Sequence, residues 1–153
     1  TMSKIATACL ATWDSSMYLP EDTMPALRSL RPRFRLALVS NFDHPPFARK
    51  LLVSTGLAEI LDPMIISGEV KVDKPDPRIF HLALEALGCA PEETLFVGDS
   101  LAADIAGARA VGCRPMLIDR ERRHTEYAGE RIENLSELAA LLGGGPEEQR
   151  RGA

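Results

Sequence analysis

Cysteine is scarce in this chain: Cys9, Cys89 and Cys113 are the only three in 153 residues, odd in number and without a Cys-x-x-Cys spacing. That scarcity excludes a disulfide framework and a thiolate zinc cluster, and it points to a reducing compartment, the cytoplasm. Long apolar runs are lacking as well, since no segment approaches the roughly 20 residues of a membrane span. The opening TMSKIATACLATW imitates a signal peptide only loosely, because threonines interrupt it and Asp14 follows at once. Charge of one sign is not in excess either. With 18 basic and 22 acidic residues the net charge is -4, which leaves no footprint for nucleic acid. A small anionic substrate would therefore need a local cationic site. There is no internal repeat.

What is present suits one ordinary soluble domain, with 45% hydrophobic and 26% charged residues. A chain of this length can bury roughly 70% of the surface its unfolded form exposes, so it needs no staples. From residue 22 onward, compact apolar runs alternate with helical patterns, the signature of an α/β domain with a Rossmann-like parallel sheet and flanking helices. The pattern predicts helices over 23–30, 47–55, 77–87 and 102–111, and strands over 35–39, 64–67, 94–98 and 114–119. Asp76 and Pro77 mark the start of the third helix as N-cap and first helical residue, and Gly56 is a C-cap for the second. RIENL is expected to add a short fifth strand, and Ser136 to cap a last helix ending before Gly143. The domain is expected to span 20–142, with 143–153 as a disordered tail.

In an open parallel sheet, ligands bind at the carboxyl ends of the strands. That rule selects Ser40 and Asn41 after the strand 35–39, Lys74 in the loop KVDKPDP, and Gly98, Asp99 and Ser100 after the strand 94–98. A hydroxyl, an ammonium and a carboxylate converging on one edge suit phosphate chemistry. Ser40 and nearby backbone N–H groups can bind phosphoryl oxygens, and Lys74 can stabilise developing negative charge. Asp99 is a hard oxygen ligand for Mg²⁺, which takes one or two protein carboxylates plus water and substrate phosphate. Asp104 can bind the ion through water or orient Asp99. Alone, Ser40 reads as a turn residue, Lys74 as a solvated lysine and Asp99 as an N-cap; the combination carries the weight. His44, His81 and His124 are far apart in sequence and are expected in surface or helix roles. Trp13, Phe42 and Phe47 are expected in the core or as substrate walls.

In order, LALVSN, KPDPRIF and FVGDSLAADIAGARAVG resemble the haloacid dehalogenase-like superfamily of hydrolases over about residues 20–140. The resemblance implies that Ser40 binds the phosphoryl group, that Lys74 neutralises nucleophile and substrate, and that Asp99 ligates Mg²⁺ with Asp104 in support. It implies substrate contacts from Ser40, Asn41 and Lys74, and a small phosphorylated metabolite as substrate. In the dehalogenases of that superfamily a Ser-Asn pair stands where this chain has Gly98 and Asp99, so the Mg²⁺-dependent phosphatase side is favoured over haloacid hydrolysis.

One part departs from the resemblance. The superfamily's first motif, Asp-x-Asp at the end of the first strand, supplies the nucleophile and the acid/base, and no Asp-x-Asp occurs here. Without a nucleophile there is no aspartyl-phosphate. Two assignments of residues 1–19 follow. In the favoured one, ACLATWDSSMYLPEDTMPALRSL resembles a last cap helix and return linker, and the first central strand, the nucleophile and most of the cap are missing. The chain is then a truncated hydrolase that is inactive alone, or a non-catalytic binding module. In the other, residues 5–13 are an atypical first strand with Asp14 at the nucleophile position and Ser16 at the acid/base position. An empty central slot would expose two rows of backbone donors and acceptors. Self-association, or completion by an N-terminal segment, is the expectation attached to the first assignment.

Overall fold

The computed structural model describes the backbone of 6–8 and the whole of residues 19–143. In chain order its elements begin with β1 (Ala6–Ala8), α1 (Thr23–Leu30), β2 (Leu36–Ser40) and α2 (Pro45–Ser54). They continue with β3 (Met64–Ile66), α3 (Ser67–Val70), α4 (Pro77–Leu87), β4 (Leu95–Gly98) and α5 (Ala106–Ala110). The last are β5 (Arg114–Ile118), β6 (Arg131–Ile132) and α6 (Leu135–Gly143). The six strands form one parallel sheet in the order β3-β2-β1-β4-β5-β6.

The central slot is occupied, in contrast to the favoured expectation of a missing strand. β1 lies between β2 and β4, with Ala6 opposite Leu36 and Leu95, and Thr7 opposite Ala37 and Phe96. The physical reason is the one that made a vacancy costly: two neighbouring parallel strands each present a ladder of amides that only a third strand satisfies inside a sheet. Asp14 and Ser16 lie outside the described residues, as do residues 144–153 of the tail expected over 143–153, whereas Gly143 is the last residue of α6.

The strands read as continuous apolar runs because both sheet faces are covered. Along β2, Leu36 and Leu38 point into a core shared with α1, α2 and α6, whereas Val39 joins Ile79, Phe80, Ala83 and Leu84 of α4 on the other face. Gly107 lets α5 approach α4 closely, since a Cβ there would fall 2.4 Å from Phe80 Cζ. The α4 boundaries follow the sequence signals: the Asp76 carboxylate accepts from the Arg78 amide, and Gly88 closes the helix with φ of 64°.

Strand limits shift by a residue, the helix expected over 102–111 begins as a π-helical turn, and three further boundaries differ from expectation. α2 starts at Pro45, two residues early, because the His44 ring accepts the Phe47 amide at 3.2 Å and the two prolines have no amide to satisfy. The last residue of MIIS, Ser67, leaves β3 and starts α3. The start of α6 is held by Asn134, whose Oδ1 accepts the Glu137 amide, not by Ser136.

Asp22 also holds α6, from 113 residues away in sequence: its Oδ2 accepts the Leu135 amide at 2.6 Å and its two oxygens take a fork from Arg120. Burial would raise this carboxyl, but the hydrogen bonds from Arg120 and Leu135 and the Arg120 charge outweigh it and hold it below its ordinary 3.8. A carboxyl lowered in the folded state stabilises above its unfolded value and loses that contribution as pH falls through the folded one. Asp22→Asn is therefore expected to cost about 1 kcal/mol at neutral pH and to flatten the fall in urea stability below about pH 4. An unchanged acid limb would show that Asp22 does not couple α6 to the sheet.

Candidate active site

The carboxyl edge of the sheet gathers the residues chosen from the sequence. Ser40 closes β2, Asn41 and Phe42 follow it, Gly98 closes β4, and Asp99 and Ser100 follow that. Ser40, Asn41, Phe42, Lys74, Asp99, Ser100 and Asp104 all line one cleft of about 720 Å³, with Arg123 and His124 on its rim.

Lys74 is not the solvated loop lysine that its sequence setting allows. Its ammonium donates to Asp104 Oδ1 at 2.7 Å and to the Val39 carbonyl at 2.9 Å, and both side chains of the ion pair are almost wholly buried. The Phe96 ring lies under the same ammonium, 5.8 Å to the centroid. Asn41 fixes the lysine backbone: its amide group donates to the Lys74 carbonyl at 3.0 Å and accepts the Lys74 amide at 2.8 Å. Asn41 is thus placed as a clamp on the lysine loop. Phe42 is tied to the next loop, its amide donating to Ser67 Oγ and its carbonyl accepting from Gly68.

Asp104 reaches Lys74 because the chain after Ser100 makes a wide π-helical turn, Leu101–Ile105, before α5 begins. Ser100 Oγ caps the turn at the Ala103 amide, and the Ser100 amide donates to Asp104 Oδ2 at 3.0 Å. Such turns recur where a side chain must be re-aimed at a functional site. Gly98 is required by the same packing, since a Cβ there would fall 2.3 Å from Asp104 Cβ. One oxygen of Asp104 serves Lys74 and the other serves the Ser100 amide, which makes it a positioning carboxylate.

Other candidates fall away. Burial, with a smaller push from Glu92, raises the Cys113 thiol to about 11, so it stays protonated at neutral pH. His44 is a helix cap. Among the described residues no three His, Cys, Asp or Glu side chains cluster as a metal cage, and no helix is long and apolar enough to cross a membrane. Arg123 and His124 were not legible as cleft residues from the sequence. They belong to the long segment after β5, and only strand order brings that segment beside Asp99.

A parallel sheet covered on both faces, with a buried Lys–Asp pair and an aspartate just after a central strand, defines a Rossmann-like α/β core with its site at the carboxyl edge. The chain belongs to the haloacid dehalogenase-like hydrolases, whose family profile matches residues 8–112. It is 43% identical over 104 residues to a phosphoserine phosphatase of Thermus thermophilus, a match covering 68% of this chain and 41% of that protein. It is 36% identical over 113 residues to (S)-2-haloacid dehalogenase 1 of a Pseudomonas strain, covering 71% of this chain and 49% of the relative. A crystal structure of a HAD phosphatase from Thermococcus onnurineus superposes with a TM-score of 0.74 at 38% identity, over 82% of this chain and 59% of that one. The chain thus spans about half the length of these relatives.

Proposed function

We propose that this chain is the core of a Mg²⁺-dependent phosphatase that, in a complete protein, hydrolyses a small phosphorylated metabolite through an aspartyl-phosphate, and that by itself the chain does not turn over. The observation that carries the reading is the buried Lys74–Asp104 pair opening on the cleft that Ser40 and Asp99 share. In that chemistry a carboxylate oxygen attacks phosphorus, the P–O bond to the alcohol breaks, and the alkoxide takes a proton. Water then attacks the acyl phosphate and releases phosphate. Lys74 faces the attacked phosphoryl group with a fixed charge, and Asp104 prevents it from swinging away. Ser40 supplies a hydroxyl to a phosphoryl oxygen. No Asp-x-Asp is present to supply nucleophile and acid/base.

The donor set fits Mg²⁺ in kind. Asp99 is a hard carboxylate in the cleft lining, Asp104 fixes the amide of the next residue, Ser100, and this ion needs few protein oxygens when water and phosphate complete its shell. When bound, the ion neutralises phosphoryl charge. Gly98 and Asp99, standing where the superfamily's dehalogenases carry Ser-Asn, favour attack on a phosphoryl group over attack on the halogen-bearing carbon of a haloacid. Two further readings stand beside this one: a non-catalytic remnant that keeps the anion site, and haloacid hydrolysis, named in the Pseudomonas relative. A cytoplasmic location completes the proposal.

With Mg²⁺, the isolated chain is expected to hydrolyse p-nitrophenyl phosphate no faster than its Lys74→Ala variant. With Asp-x-Asp-x-Thr placed directly after β1, it is expected to gain phosphatase activity that Asp99→Asn sharply reduces. Robust activity of the isolated chain that disappears in Asp14→Asn would assign the nucleophile to Asp14 instead, and halide release from 2-chloropropionate would move the reading to a dehalogenase.

A further inference from the structure

The end of β2 holds Lys74 twice, once on each side of Ser40. Val39, the residue before Ser40, accepts from the Lys74 ammonium through its carbonyl at 2.9 Å. Asn41, the residue after Ser40, takes the Lys74 main chain: its Nδ2 donates to the Lys74 carbonyl at 3.0 Å and its Oδ1 accepts the Lys74 amide at 2.8 Å. The two attachments bracket Ser40, so the lysine lies along the strand end with its main chain at Asn41 and its ammonium at Val39. Ser40 and Lys74 are both buried, and both line the cleft.

Lys74 belongs to the connection between α3 and α4, outside any strand. Inside a sheet a neighbouring strand would serve the N–H and the C=O of one residue together; here a side chain does so. A primary amide carries a donor and an acceptor on one planar group. A carboxylate has no donor, a hydroxyl has a single oxygen for both tasks, and Gln reaches a methylene further. The same two loops are also tied at Ser67 and Gly68, near the start of the segment that leads to Lys74. There Ser67 Oγ accepts the Phe42 amide at 3.0 Å, and the Phe42 carbonyl accepts the Gly68 amide at 3.1 Å. A Cβ on Gly68 would fall 2.7 Å from that carbonyl, so the loops are in close contact at this point as well.

We infer that Asn41 is a positioning residue for anion binding: by fixing the Lys74 main chain against the end of β2 it holds the ammonium in register with the Ser40 hydroxyl, and it acts through Lys74 without touching the ligand. Both ends of its side chain already serve the Lys74 main chain. An ammonium that is oriented beforehand has little freedom to lose when an anion binds, whereas a loose one must first be ordered. The identity of the anion rests on the phosphatase reading; the hold on Lys74 does not.

The test reads Lys74 and the anion separately. Hydrogen exchange of the Lys74 amide reports its main chain, the NMR resonance of its ammonium reports its tip, and calorimetry in Mg²⁺ reports binding of inorganic phosphate. Asn41→Ala is expected to remove protection at the Lys74 amide, to broaden the ammonium resonance and to weaken phosphate about tenfold. Asn41→Ser, which reaches one main-chain group at most, is expected to show the same changes to a smaller degree, and it carries the test should Asn41→Ala not fold. Ser67→Ala, which loosens the same loops away from the lysine, is expected to keep both Lys74 signals and to leave phosphate affinity within about twofold of the parent. Weaker phosphate with both Lys74 signals unchanged would make Asn41 a direct ligand contact and overturn the inference. An equal loss in Ser67→Ala, or parent-like affinity in Asn41→Ala, would overturn it too. If the parent chain binds no phosphate while the Lys74 signals respond as expected, the phosphatase reading falls and the hold of Asn41 on Lys74 stands; if the signals do not respond either, both fall.

Discussion

Lys74→Met is expected to destabilise the domain by about 3–5 kcal/mol, the range for removing one partner of a buried ion pair. The substitution roughly keeps the volume of the side chain, so the cost comes from charge. Asp104 is 0% exposed and would be left with the Ser100 amide but without the ammonium now 2.7 Å from its Oδ1. The Val39 carbonyl would lose a donor at the same time. For a chain of this size such a loss lowers Tm by about 10 °C. The double variant Lys74→Met with Asp104→Leu removes both charges, and it is expected to recover most of the loss because a well-packed apolar pair replaces a buried ion pair at little net cost. Urea denaturation of the four proteins checks this as a double-mutant cycle. A single variant within 1 kcal/mol of the parent would mean that water reaches the pair. The pair is therefore expected to serve function at the expense of stability, with the recovered double variant stable and unable to bind phosphate.

Gly98→Ala is the second large effect. The added methyl carbon would fall 2.3 Å from Asp104 Cβ and 2.4 Å from its Cγ. These are not the loose end of a flexible side chain: Asp104 is fixed by Lys74 on one oxygen and the Ser100 amide on the other. Over-packing costs typically about 1–3 kcal/mol, and displacement of Asp104 adds part of the ion-pair loss, so about 3 kcal/mol is expected from urea midpoints. Gly143→Ala, where a Cβ meets nothing within 4 Å, is the control and should be close to neutral. If Gly98→Ala matched that control, the approach of β4 to the π-helical turn would have to be looser than the structure has it. Because Asp99 is the next residue, the same variant is expected to weaken phosphate binding in Mg²⁺ as well.

The helices, most of the strands and the cleft residues Ser40, Asn41, Lys74, Asp99 and Asp104 were legible because each depends on neighbours in the chain. Asp76, Pro77 and Gly88 delimit α4 through contacts a few residues long, and the unbroken apolar runs of β2 and β4 announce strands covered on both faces. The motifs around Ser40 and Asp99 were legible for the same reason, since each stands at or next to a strand end, and Lys74 through the Lys-Pro-Asp-Pro run that opens α4. Tertiary structure decided what lies between those segments. It filled the central slot with Ala6–Ala8, a short run whose pairing depends on β2 and β4, 30 and 89 residues further along. It turned Asn41 into a clamp on the Lys74 backbone and Asp104 into the partner of the Lys74 ammonium, through contacts 33 and 30 residues apart in sequence. It set Arg123 and His124 on the rim, and it let Asp22 hold a helix 113 residues away. Local periodicity and capping fix which segments are helices and strands. Which polar groups meet depends on strand order and helix approach, where amides and buried charges must find partners across the chain.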